Sequence, residues 1–118
     1  MKKISMFICA LLCAMSLMAE TVLIDGLYYS LGNTAATLVK DQTSNLSTYK
    51  EYINVTIPAS VTYNNYTYPV TSIGTSAFEG CTNLQSVTLP SSITVIYTDA
   101  FYGCTKLKSL DLRSFDTS

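Results

Sequence analysis

A 23-residue internal repeat constrains the fold of this chain more than any other feature of the sequence. Residues 70–92 align with residues 93–115 without a gap, and twelve of the 23 positions are identical. Self-similarity at a period of about 20–50 residues indicates a repeat architecture. Because one such unit cannot bury its apolar edge alone, its copies must stack against each other. The sequence therefore predicts layers of equivalent side chains that share one continuous apolar core.

The spacing inside the repeat predicts one short strand and one tight turn. The unit reads Ile-x3-Ala-Phe-x-Gly-Cys-x2-Leu-x2-(Val/Leu)-x-Leu, and its end alternates between apolar and polar residues, as a strand does. The Ala-Phe-x-Gly-Cys run is too short for a full helix and predicts a turn or one helical coil, in which glycine permits an unusual backbone. The expected core residues are Leu84, Val87 and Leu89, then Leu107, Leu110 and Leu112, with Phe78 and Phe101 on the far side. The expected outward residues are Ser86, Thr88, Ser109 and Asp111.

The blocks at residues 70–90 and 96–112 resemble the 23-residue leucine-rich repeats of the BspA-like, or Treponema-type, family. The recurrence of Ala-Phe, Gly-Cys and the terminal strand together carries this resemblance. It implies a mainly β protein with short helical or 3-10 turns: a leucine-rich-repeat solenoid with a parallel strand ladder, preceded by a small β-hairpin cap. Family members are secreted or surface proteins associated with adhesion to host proteins or other cells, which implies a similar role here.

The sequence ahead of the clear repeats predicts a partial repeat and a cap. Residues 55–62 parallel residues 87–94 at a spacing of 32, nine more than one repeat. The extra piece around residues 63–69 alternates aromatic and polar residues about an Asn-Asn pair, which predicts a β-hairpin with a tight turn. Residues 21–31 and 35–39 predict two short strands, with turns at Asp25-Gly26 and Gly32-Asn33. The predicted regions are a cap at 20–52, a partial repeat with the hairpin insertion at 53–69, and full repeats at 70–92 and 93–115, within a repeat region of 53–118.

Residues 1–19 have the layout of a secretory signal peptide. Lys2 and Lys3 precede an uncharged stretch of 16 residues, and Ala19 is the best cleavage position. A retained membrane anchor is the alternative, but a spanning helix needs about 20 apolar residues. Cleavage would leave five basic and eight acidic residues, a net charge of 5 − 8 = −3. Nucleic-acid binding, which depends on basic side chains, has no support, and we expect no membrane span after cleavage.

The carboxyl-terminal end of the sequence suggests an incomplete repeat array. Only six residues follow Leu112, too few for another repeat or a terminal cap, and about three repeats are usually needed for a stable stack. The sequence predicts a fragment of a longer array, a truncated product, or a chain that covers its open end with a partner, including a second copy of itself.

The residue inventory gives no support for catalysis. The absence of histidine excludes Ser-His-Asp and Cys-His catalytic arrangements and the usual zinc ligand sets within this chain. The carboxylates are scattered, no spacing places two in one cleft, and a carbohydrate-acting enzyme is therefore the weakest alternative. We expect no enzyme activity, no catalytic or metal-binding residues and no cofactor.

Cys81 and Cys104 lie one repeat apart, which brings their backbones within reach of a disulfide. Equivalent side chains in a parallel ladder point the same way, however, so the preferred interpretation is two free, packed thiols. A bridge is the alternative, favoured by export to an oxidising compartment.

The outward side of the strand ladder is the predicted binding surface, because the concave face of a solenoid is where partners usually bind. The predicted ligand-binding residues are Gln85, Ser86, Thr88, Lys108, Ser109 and Asp111. Tyr63, Tyr66 and Tyr68 on the hairpin form a possible second surface, although tyrosine also simply favours strands. The expected partner is a protein, at a cell surface or in the extracellular matrix. A purely structural cap or stalk segment without its own ligand is the alternative.

Overall fold

The structure is a computed structural model that describes residues 20–42 and 48–111. The predicted signal peptide, residues 43–47 and residues 112–118 lie outside the described residues, as do the side chains of Ser109 and Asp111. The elements are β1 (Glu20–Ile24), β2 (Leu27–Leu31), β3 (Ala36–Val39), a 3-10 helix (Thr48–Glu51), β4 (Asn54–Thr56), β5 (Ser60–Tyr63), β6 (Tyr66–Ile73), β7 (Ser86–Thr88), β8 (Val95–Ile96) and β9 (Ser109–Asp111). The mainly β fold class is confirmed.

Three short parallel strands form the strand ladder that the repeat predicts. β7 pairs with β4 on one side and with β9 on the other. Ser86 lies beside Asn54 and Ser109, so the register between β7 and β9 is one 23-residue repeat and that between β4 and β7 is 32 residues. The nine residues beyond one repeat therefore lie between the first two ladder strands.

The inserted segment is a hairpin that continues into the opposite side of the stack. β5 pairs with β6 in antiparallel fashion, and the turn residues Asn64 and Asn65 have positive φ angles of 52° and 70°. Two successive positive φ angles define the tight turn whose twist suits a hairpin, and asparagine tolerates them better than most residues. The second half of β6 then pairs in parallel with β3 and with β8. A single strand thus joins the insertion, the cap and the repeats.

The cap contains one more strand than the sequence analysis predicted. Residues 21–31, predicted as one strand, form β1 and β2, which pair in antiparallel fashion about the turn at Asp25-Gly26. Both turn residues have positive φ, which interrupts the strand. β3 pairs with β2, and residues 32–35 connect the two strands, in a segment that contains the predicted turn at Gly32-Asn33.

The apolar core runs through the described layers as predicted. Leu84, Val87 and Leu89 are all buried, as is Phe78. Leu107, Leu110 and Phe101, in the last described layer, are partly buried, and Leu112 lies outside the described residues. The rings of Phe78 and Phe101 stack with centroids 5.5 Å apart and planes within 5°. The predicted stacking of equivalent side chains is therefore confirmed.

The turns between strands stack through backbone hydrogen bonds from one repeat to the next. The amides of Ser76, Phe78 and Gly80 donate to the carbonyls of Thr98, Ala100 and Tyr102, at 3.0, 2.7 and 2.8 Å. In each pair the two residues are 22 positions apart, which is one less than the length of the repeat. The predicted turn is therefore a series of tight turns, with Gly80 and Gly103 both at positive φ.

Candidate binding surface

The outward side of the strand ladder consists of two rows of polar residues, which we call the ladder face. One row contains Asn54, Ser86 and Ser109, and the other contains Thr56, Thr88 and Asp111. Between them Val55 and Val87 point inward and are buried. Because side chains alternate along a strand, burial of the central residue directs its neighbours to the opposite face. The ladder therefore brings the predicted residues Ser86 and Thr88 together with the backbone positions of Ser109 and Asp111.

The side chains that the structure describes on the ladder face are uncharged and can form hydrogen bonds. Thr56 and Thr88 are exposed, and the Ser86 hydroxyl donates to Oδ1 of Asn54 at 2.6 Å. Parallel strands lie about 4.8 Å apart. Neighbouring polar residues in one row are therefore separated by about the same distance. Gln85 and Lys108 are exposed at the margin, where the Lys108 amide donates to the Gln85 carbonyl at 2.9 Å.

Asn54 and Thr56 also belong to the ladder face, although neither was among the residues predicted from the sequence. Their signal was available, because the alignment of residues 55–62 with residues 87–94 puts Thr56 over Thr88. Extending that alignment by one residue puts Asn54 over Ser86.

The three hairpin tyrosines lie on one face of β5 and β6, together with Val61 and Val70, which are buried. Tyr63 is opposite Tyr66, and Tyr68 is opposite Val61. Tyr63 and Tyr68 pack partly against the core, whereas Tyr66 is 67% exposed. The Tyr63 hydroxyl is 3.4 Å from Oε2 of Glu20, whose carboxylate raises the pKa of Tyr63. Of these tyrosines, Tyr63 therefore links the hairpin to the first residue of β1.

The two repeat cysteines are free and have no features of reactive thiols. Cys81 is buried, and burial raises its pKa to about 11. Burial also raises the pKa of Cys104, whose Sγ is 3.1 Å from the Phe78 carbonyl and donates to it. A thiolate is the reactive form, and burial therefore favours the protonated, less reactive form of both thiols near neutral pH.

The fold brings two carboxylates to one cavity, which the sequence analysis did not anticipate. Asp41 and Glu79 line a cavity of about 350 Å³ beside Lys40 and Lys50. The Asp41 carboxylate, however, accepts a hydrogen bond from the Tyr49 amide at 3.0 Å, which fixes the start of the 3-10 helix. We assign Asp41 this structural role.

Within the described ranges, no three potential metal-ligating side chains cluster together. The same ranges contain no helix with the length and apolar character to cross a bilayer.

Comparison with known proteins identifies the same repeat. The family described as BspA type leucine-rich repeat region (six copies) matches residues 43–118. No curated protein matches the chain.

Three solved structures of bacterial leucine-rich repeat proteins show the relationship. One from Bacteroides ovatus is 28% identical over 76% of this chain and 23% of its own length, with a TM-score of 0.66. One from Bacteroides capillosus is 35% identical over 77% of this chain and 64% of its own length, with a TM-score of 0.63. A leucine-rich cell surface protein from Faecalibacterium prausnitzii is 25% identical over 76% of this chain and 30% of its own length, with a TM-score of 0.52. The chain thus spans about a quarter to two thirds of these relatives.

Proposed function

This chain belongs to the BspA-type leucine-rich repeat family, and on that premise we propose that it is an exported, non-enzymatic module that binds a protein partner through the ladder face. The single observation that carries the proposal is the in-register ladder, which places the exposed side chains of Asn54, Thr56 and Thr88 on the side opposite the buried Val55 and Val87. The rigid strands hold these groups at fixed spacing. Such preorganisation lowers the entropic cost of binding.

One observation supports a location outside the cell. The similar protein from Faecalibacterium prausnitzii is described as a cell surface protein. We expect the exported chain to begin at Glu20, which mass spectrometry of the mature protein would test; retention of residues 1–19 would contradict export by cleavage.

The ladder face is a better candidate than the hairpin tyrosines because its residues Asn54, Thr56 and Thr88 are exposed. Two of the three tyrosines, Tyr63 and Tyr68, pack partly against the apolar core. The partner we infer is a surface or extracellular-matrix protein, in keeping with the adhesive role that the family resemblance implies. The concave shape of the ladder side is part of this proposal.

A pair of matched substitutions tests the proposal. Thr88 is exposed at the centre of the ladder face, and Thr82 is equally an exposed threonine but lies in a turn outside it. We expect Thr88→Glu to weaken capture of the chain by immobilised extracellular-matrix proteins or by whole cells at least tenfold, about 1.4 kcal/mol. Thr82→Glu should leave capture unchanged. Equal binding by both variants would move the site to the hairpin or off this chain, and no capture by any surface would favour the structural cap or stalk.

A further inference from the structure

A second cavity, of about 450 Å³, lies where the cap meets the first ladder strand, and we call it the junction cavity. Its volume falls within the range of about 300–1,000 Å³ found for ligand pockets. Three segments line it: the β1–β2 turn, the end of β4 with the residues after it, and β5. The lining residues are Ile24, Asp25, Leu27, Tyr29, Thr56, Pro58, Ser60, Val61 and Thr62.

The hydroxyl of Tyr29 is the feature that most clearly indicates a ligand. Tyr29 is only 1% exposed, yet its hydroxyl has no hydrogen-bond partner among residues 20–42 and 48–111. Buried polar groups in folded proteins are normally hydrogen-bonded. In the same part of the chain no fully enclosed side-chain oxygen or nitrogen lacks a partner. The Tyr29 hydroxyl is therefore not fully enclosed, and since Tyr29 lines the junction cavity, a group bound there can complete its hydrogen bonding.

Other tyrosines show what this hydroxyl lacks. Tyr49 donates to the Val39 carbonyl and Tyr52 donates to the Gly26 carbonyl, at 2.9 and 2.8 Å. Both hydroxyls fasten one part of the backbone to another. Among the residues that the structure describes, the hydroxyl of Tyr29 makes no such link.

The charge of the junction cavity selects the kind of ligand. Asp25 is the one charged residue among those that line it, and no cation accompanies it there. Burial, and then the Asp25 carboxylate, raises the pKa of Tyr29 to about 12, so the hydroxyl keeps its proton at neutral pH. Thr56, Ser60 and Thr62 add hydroxyl oxygens. The polar side of the cavity therefore offers one negative charge and several acceptors, and the rest of its wall is apolar.

The position of Asp25 is fixed by its turn. Asp25 and Gly26 have φ angles of 49° and 84°, and the bond from the Tyr52 hydroxyl to the Gly26 carbonyl ties the turn to the chain just before β4. A β carbon at Gly26 would come within 2.7 Å of that hydroxyl. The turn and the first ladder strand are therefore held together around the cavity.

We propose that the junction cavity binds a lysine or arginine side chain of a protein partner that lies across the ladder face. The aliphatic stem would lie along Leu27, Pro58 and Val61, while the cationic head would meet Asp25 and the hydroxyl oxygens. Thr56 belongs both to the cavity and to the ladder row that contains Thr88. A partner that follows this row arrives at the cavity. The inference rests on the proposed function, since it names the chemistry of that partner.

The direct test uses small probes in place of a natural partner. Isotopically labelled mature protein would be titrated with N-acetyl-lysine N-methylamide, its arginine counterpart and its norleucine counterpart, with backbone amide shifts measured by NMR. We expect saturable shifts at Asp25, Leu27 and Thr56 with the two cationic probes, and at least tenfold weaker binding of norleucine. Equal binding of norleucine would overturn the charge selection. Absence of saturable shifts with either cation would overturn the site.

Matched variants test the assigned groups. Asp25→Asn keeps a residue type that tolerates positive φ, and we expect it to weaken lysine-probe binding at least fivefold. Glu51→Gln removes an exposed carboxylate on the 3-10 helix, outside the cavity, and should have no effect. Tyr29→Phe should also weaken binding of the lysine probe, while its amide NMR spectrum remains that of a folded protein. Equal weakening by Asp25→Asn and Glu51→Gln would show only a general effect of net charge and would overturn the proposal.

The probe experiment and the capture experiment can give independent results, so that failure of the cavity proposal can be distinguished from failure of the proposed function. Capture of a matrix protein through Thr88, together with no lysine-probe binding, would reject the junction cavity and keep the proposed function. Lysine-probe binding at the cavity without any captured protein would support the cavity chemistry and reject the proposed function.

Discussion

The side chain of Tyr49 belongs to the cap and to the repeat stack at the same time. Its ring stacks on Phe78 with centroids 5.1 Å apart and so adds a layer to the aromatic column that continues to Phe101. Its hydroxyl lies between two cap strands, accepting from the Tyr28 amide at 2.7 Å and donating to the Val39 carbonyl at 2.9 Å. One residue thus couples the first repeat layer to the end of the β2–β3 pair.

We expect Tyr49→Phe to destabilise the fold by about 1–3 kcal/mol, because the Tyr28 amide and the Val39 carbonyl would lose their partner while the ring remains. Urea denaturation followed by circular dichroism measures the change. Tyr66→Phe is the control, since Tyr66 is 67% exposed and its hydroxyl forms no hydrogen bond in the part of the chain that the structure describes. Equal stability of the two variants would contradict the bridging role.

Tyr29 leads us to expect a loss of stability in alkaline solution. Its pKa is about 12 in the fold against an ordinary 10, so between those values the unfolded chain has released a proton that the folded chain retains. The free energy of unfolding therefore falls as pH rises from about 10 to about 12, by about 2 kcal/mol for this residue. Denaturation at pH 8 and pH 11.5 measures the loss, which should be smaller in Tyr29→Phe. A Tyr29→Phe variant that loses as much stability as the parent would contradict this assignment.

At the scale of elements, the stacked turns depend on glycines in a left-handed conformation. Gly103 has a φ of 81°, and a β carbon there would lie 3.4 Å from the Gly80 nitrogen in the layer before. We expect Gly103→Ala to cost about 1–2 kcal/mol, because alanine is strained at positive φ. Thr105→Ala, at an exposed position two residues on, is the control for thermal denaturation. Equal melting temperatures of the two variants would show that the turn accommodates alanine without a loss of stability.

The elements that sequence analysis predicted are those with a local or repeated signal. The repeat predicted the β7–β9 register, and the Asn-Asn pair predicted the hairpin turn. The aromatic layer at Tyr49 was missed because Tyr49 precedes Val55 by six residues, whereas Phe78 precedes Val87 by nine. A shortened turn hides the equivalence from a gapless alignment, although the rings still stack. The junction cavity was missed because its lining comes from three segments that only the fold brings together.

For the whole molecule, two ladders hold the layers together on opposite sides of one core. β4, β7 and β9 form one side, while β3, β6 and β8 form the other. Between them the column of Tyr49, Phe78 and Phe101 crosses three layers. The free energy of unfolding of such a stack is approximately the sum of the stability of each layer and of the contacts between neighbouring layers. The destabilisation caused by removing a side chain therefore depends on its position in the column.

This arrangement predicts unequal effects of the same substitution at two equivalent positions. Phe78 is fully buried between Tyr49 and Phe101, whereas Phe101 is only partly buried and stacks on Phe78 alone in the described part of the chain. We expect Phe78→Ala to cost about 3–5 kcal/mol, the usual range for a buried phenylalanine, and Phe101→Ala to cost less than half as much. Hydrogen exchange separates the two: Phe78→Ala should lower protection in β2, β3, β6 and β7 together, while Phe101→Ala should affect chiefly β8 and β9. Equal costs, or a loss confined to β7 in Phe78→Ala, would mean that the cap and the repeats do not act as one stack.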